Sequence, residues 1–155
     1  MYKRQAEIRR AALGEAQPDY AQSLIGLAAM HRAMGDYAAA LPLYRQAAEI
    51  RRAALGEDHP QYALSLYNLA NVHQAMGDYA AALPLYQRAA EIFRAALGDA
   101  HPDYAQSLHN LTAVHASMGD DSATLRLFRR AMEIRRTARR FHTEYADSVD
   151  ELVTM

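Results

Sequence analysis

With 155 residues and a net charge of −1, the chain can bury one sizeable core and carries no excess charge that would point to nucleic acid or an acidic membrane surface. It has no cysteine, which excludes a disulfide framework, thiol catalysis and thiolate zinc sites. Alanine dominates while valine, isoleucine and threonine are few, so the composition predicts an all-α protein. No apolar run approaches the roughly 20 residues that span a bilayer, and no signal-peptide pattern opens the chain, so a cytoplasmic location is expected.

Taken in chain order, the elements repeat. Residues 15–56 and 57–98 agree at 30 of 42 positions. A third, looser copy runs over 99–140, with Asp121 where Tyr37 and Tyr79 stood. Residues 1–14 match the second half of a unit and 141–155 the first half, so the chain reads as half, three wholes, half. Each unit predicts two helices. The first runs from about Tyr20 to Met34, with Tyr20, Leu24, Leu27, Ala28 and His31 at helical spacing. Gly35 ends it and Asp36 caps the next helix. That second helix spans Tyr37 to Leu55 on a stripe of Ala40, Tyr44, Ala47, Ile50 and Leu55. Pro42 and Pro84 fall inside it and predict a kink. Gly56 stops it, and Pro60, like Pro18 and Pro102, suits the first turn of the following helix.

The joint "GEDHPQYA" at 56–63 places Asp58 beside His59, an arrangement that could serve acid–base or metal chemistry. Its copies carry Ala16 and Ala100 for the acid, and Gln17 and His101 for the histidine. Successive joints should lie about 10 Å apart, the spacing of packed helices, too far to share one metal. His59 is therefore expected to cap a helix. His31, His73 and His115 repeat strictly and sit at a packing position, so they are read as structural filling. No Ser/His/Asp set, paired carboxylates or glycine-rich phosphate loop stands outside the repeat. No catalysis, metal or cofactor is expected.

The spacing Leu24, Leu27, Ala28, His31, Gly35, Ala40, Tyr44, Ala47, matched at 66–89 and 108–131, resembles the tetratricopeptide repeat. The 42-residue period with "LGEDHP" before the next helix is similar to its kinesin-light-chain variety. The resemblance implies a right-handed α-solenoid of antiparallel helix pairs with a concave groove lined by the first helix of each unit. It implies non-catalytic binding of a protein or extended peptide as a scaffold or sensor part of a larger protein; the charge balance and the lack of a spanning apolar run add the expectation of no nucleic-acid or membrane partner. Mapped onto this sequence, the groove positions are Gln22, Ile25, Gly26, Ala29 and Arg32 in the first unit. The second gives Leu64, Tyr67, Asn68, Asn71 and Gln74, and the third Gln106, His109, Asn110, Ala113 and Ala116. Asn68 and Asn110 match asparagines that in similar repeats hold a peptide backbone. Only Arg32 is basic, so carboxylate-clamping and acidic ligands fit poorly, and a neutral or mildly polar peptide is expected.

Two further expectations concern the last third and the ends. Seven arginines lie between Arg126 and Arg140 against one acid, Glu133. Glu144, Asp147, Asp150 and Glu151 on a final helix packed against them would compensate. The half units also suggest an alternative function, head-to-tail self-association. Tyr2 and Ile8 of one molecule would then meet Val149, Leu152 and Val153 of the next.

Overall fold

The computed structural model describes residues 18–154 together with Arg4, and beyond Arg140 only the side chains of Thr143 and Asp147. The described residues form six α-helices: α1 (Pro18–Ala33), α2 (Tyr37–Leu55), α3 (Pro60–Ala75), α4 (Tyr79–Leu97), α5 (Pro102–Ser117) and α6 (Asp121–Thr154). Every substantial helix contact joins sequence neighbours, α1 to α2 and onward to α6. That is a stack of helix pairs, an α-solenoid.

The predicted punctuation sets these boundaries. Gly35 adopts φ +78°, open to glycine at no cost. Behind it the Asp36 N–H donates to His31 O at 2.8 Å, a Schellman closure of α1. Asp36 Oδ1 then accepts from Ala39 N–H at 3.2 Å and opens α2. His59 Nδ1 accepts from Gln61 N–H at 3.0 Å, and Pro60 takes the first position of α3. His101 does the same for Asp103 N–H at 3.1 Å. The acid–histidine joint is thus a helix cap, and Asp58 lies exposed, 3.8 Å from Arg88. Both α2 and α4 run unbroken through Pro42 and Pro84. The carbonyls deprived of a donor belong to Ala38 and Ala80, which are exposed and open to water.

The core forms bands along the stack. Tyr20, Ala21 and Leu24 meet Ala47 and Ile50. Ala28, Ala40, Tyr44 and Ala48 close over Leu69 and Val72 of the next unit. A larger band joins α3, α4 and α5 and reaches Ile134 on α6. The alanines are fully buried at Ala28, Ala40, Ala47, Ala70 and Ala82, so the small positions let backbones approach. The predicted stripes hold, with Leu27, His31 and Leu55 only half-buried. The repeated histidines sit beside the caps: His31, His73 and His115 place Nδ1 at 3.5, 3.7 and 3.5 Å from the carboxylates of Asp36, Asp78 and Asp120.

One expected boundary is absent. A separate final helix after Arg140 was predicted, packed against the basic segment. Instead α6 continues as a single helix from Asp121 to Thr154, with Thr143 Oγ1 donating to Arg139 O across the anticipated break. The reason is local. Arg140 occupies the register of Gly56 and Gly98, and no proline follows, so nothing stops the helix. Compensation also comes from elsewhere: Arg130 Nη2 pairs with Asp99 Oδ2 at 2.9 Å, and Arg130 Nη1 lies 3.5 Å from Glu133 Oε2. Tyr2 and Ile8 lie outside the described residues. Val149, Leu152 and Val153 lie on the α6 backbone with side chains outside the description.

Candidate functional site

The first helices of units two and three carry most of the predicted groove residues, and side-chain amides tie them together. Tyr86, on α4, sends its phenol between Asn71 and Gln74 of α3, 2.7 Å from Gln74 Oε1. A phenol has one hydrogen, so one amide accepts it and the other satisfies the contact with its NH2. Asn110 of α5 donates through Nδ2 to the Tyr67 hydroxyl at 2.6 Å and reaches Asn71 Oδ1 at 3.4 Å. Gln106 Nε2 lies 3.4 Å from Asn110 Oδ1. The Tyr67 and Tyr86 rings meet edge to face, with centroids 5.6 Å apart. This network locks three helices of two units in one register.

Burial raises the Tyr86 phenol pKa above the ordinary tyrosine range, the Tyr67 phenol adds to the rise, and Arg32 opposes it. Burial raises Tyr44 as well, again opposed by Arg32. Arg32 of the first unit is exposed. Leu64, Tyr67 and Gln106 also line a shallow hollow of about 60 Å³, closed by Phe93 and Asp103.

The predicted residues thus divide into three sets. Tyr67, Asn71, Gln74, Gln106 and Asn110 are brought together, but their amides largely serve one another. Gln22 is drawn away, its Oε1 accepting from Arg51 Nη2 at 3.0 Å. His109 is exposed, and Asn68 is half-buried with no side-chain hydrogen bond among the described residues. Of the two asparagines singled out, Asn68 keeps its amide uncommitted and Asn110 does not.

Sequence reasoning missed Tyr86 and Arg51. A signal for Tyr86 existed: among the three units only the second sets amides, Asn71 and Gln74, where the others have Ala29 and Arg32 or Ala113 and Ala116. Arg51 is 6% exposed and donates to Gln61 O, Ser65 Oγ and Gln22 Oε1, pinning unit one to unit two. Desolvation lowers its pKa. As one of three arginines on α2, it gave no hint of this.

Among the described residues no cluster of three histidine, aspartate or glutamate side chains could hold a metal, and no described helix is long and apolar enough to cross a membrane. No curated protein matches the chain. The tetratricopeptide repeat profile matches residues 1–53, 19–95 and 62–137. Two solved structures are similar. BtubC (BKLC) from P. vanneervenii aligns at TM-score 0.83 and 23% identity, over 89% of this chain and 55% of that one. A Podosopora anserina chain described as a kinesin light chain with nearly identical TPR-like repeats aligns at TM-score 0.76 and 24% identity, over 90% of this chain and 66% of that one. This chain therefore spans between about half and two thirds of those chains. The fold is that of kinesin-light-chain-type repeats, and the chain belongs to the tetratricopeptide repeat family.

Proposed function

We propose that the chain is a non-catalytic, cofactor-free binding module, a cytoplasmic scaffold or sensor segment. It takes an extended, neutral to mildly polar peptide along the first helices of its units. Repeats of this family are protein-interaction scaffolds, which supports the class. The observation that carries the finer reading is Asn68. A half-buried amide with donor and acceptor both uncommitted matches the alternating N–H and C=O of an extended backbone. The neighbouring hollow at Leu64, Tyr67 and Gln106 would take one apolar peptide side chain. The internal network at Tyr67, Asn71, Gln74 and Asn110 holds that surface in place before a ligand arrives, which lowers the entropic cost of binding.

Wild type and Asn68→Ala screened against one displayed peptide library test the reading. The account predicts that peptides selected by wild type bind Asn68→Ala about five- to tenfold more weakly, the loss of one to two uncharged hydrogen bonds, with unchanged stability. Equal binding by both proteins removes Asn68 from recognition.

A further inference from the structure

The second helix of each unit forms a seat for the first helix of the next, and on α6 that seat is open. Tyr44 and Ala48 of α2 lie under Leu69 and Val72 of α3, and Tyr86 and Ala90 of α4 share a cluster with Leu111 and Val114 of α5. On α6 the same register holds Phe128 and Met132. They are 54% and 49% exposed, with Leu125 beside them at 50%. Together with Arg135, Arg136 and Arg139, Phe128 and Met132 line an open hollow of about 410 Å³. The described chain does not close it. After Leu55 and Leu97 a four-residue joint turns the chain back, and α3 and α5 cover the helix just left. Helix α6 has no such joint and runs on to Thr154, 18 residues and about 27 Å past Arg136.

The two closed interfaces say what fits the open one. Arg52 and Arg94 share the register of Arg136, and each meets an acid of the joint that follows. Arg52 Nη1 lies 3.6 Å from Glu57 Oε1, and Arg94 Nε pairs with Asp99 Oδ1 at 2.9 Å. Both acids stand three residues before the proline that starts the covering helix. Arg51 shares the register of Arg135. It is buried under α3 and donates to Gln61 O and Ser65 Oγ in that helix's first two turns. On α6, Arg135, Arg136 and Arg139 have no acidic partner among the described residues. A covering helix brings the positive end of its dipole against these three cations, so an acid at its start is needed to offset like charge.

We propose that this seat binds an amphipathic, acid-led α-helix of a partner protein, laid antiparallel on α6. An acid three residues ahead of that helix meets Arg136. A carbonyl and a hydroxyl in its first two turns accept from Arg135. Two apolar side chains nine and twelve residues past its start cover Phe128 and Met132, as Leu69 and Val72 stand past Pro60. The site is independent of the peptide groove on α1, α3 and α5.

The probe is a peptide of residues 57–75 of this chain, the covering helix that already sits over an arginine. A hydrocarbon staple between positions 64 and 68, on the groove side, holds it helical, as circular dichroism can verify. Fluorescence anisotropy against the 155-residue protein should give a Kd of about 1–100 μM. Phe128→Glu, at an exposed site, should weaken binding at least about tenfold. Arg136→Ala should weaken it about three- to tenfold, Glu57→Gln in the peptide should do the same, and the two together should lose no more than either alone. Asn68→Ala in the protein should bind the peptide like wild type, which separates this face from the groove. No binding by the helical peptide, binding untouched by Phe128→Glu, additive losses for Arg136 and Glu57, or a loss with Asn68→Ala would each overturn the proposal. So would a wild-type dimer in light scattering that Phe128→Glu dissociates, since the seat would then belong to a second copy.

Discussion

Tyr86 shows how a single hydroxyl can fix the register of a repeat stack. Its ring fills the core between α3 and α5, and its phenol meets Asn71 and Gln74 at the protein edge. Tyr86→Phe keeps the ring and strands two part-buried amides. It should cost about 1–3 kcal/mol in urea denaturation, and a loss below about 0.5 kcal/mol would show that water replaces the hydroxyl. Arg51 poses the opposite case, a buried cation whose hydrogen bonds go to neutral acceptors. Phe93 fills the same register in the next unit at 2% exposure. Desolvating a cation opposes its own hydrogen bonds, so Arg51→Phe should change stability by less than about 1 kcal/mol. Arg51→Ala should cost about 2–4 kcal/mol through the cavity it leaves. Denaturant midpoints of the two variants decide, and similar losses in both would show that the cation itself is needed.

Among the elements, α2 and α4 each carry a proline as their sixth residue without ending there. The exposed carbonyls of Ala38 and Ala80 limit the cost, since water can serve them. Pro84→Ala restores one helical hydrogen bond and removes a steric conflict, so thermal unfolding should show a gain of about 1–3 kcal/mol. No gain would mean that the proline is already accommodated by the curvature of α4. Most of this architecture was legible because its signals are local and repeated: Gly35, Asp36, Gly56 and Pro60 each act within one turn of the chain. The end of the third unit misled for a related reason. Its side-chain stripe persists at Tyr145, Ser148 and Val149 while the stop residues are gone, and continuity of the helix is decided by the stop. The binding face was only half legible. Sequence placed Asn68, Asn71, Gln74 and Asn110 on one surface, but whether an amide faces solvent or a neighbouring tyrosine depends on Tyr86, which comes from a different helix.

At the scale of the whole molecule, each unit buries its stripe against the next, and the bands of core run from Tyr20 on α1 to Ile134 on α6. Such a stack is rigid where each helix has two neighbours and presents a long preformed surface. The second unit, flanked on both sides and cross-linked by its amide network, is the part of that surface best held in one conformation. The central claim is that this surface receives an extended peptide along α1, α3 and α5. Amide hydrogen exchange, with and without a peptide selected by the wild-type protein, tests it most directly. The account predicts slowed exchange along α3 around Tyr67 and Asn68, extending toward Arg32 on α1 and Gln106 on α5. Slowing confined to α2, α4 or α6, with α3 unchanged, would contradict it.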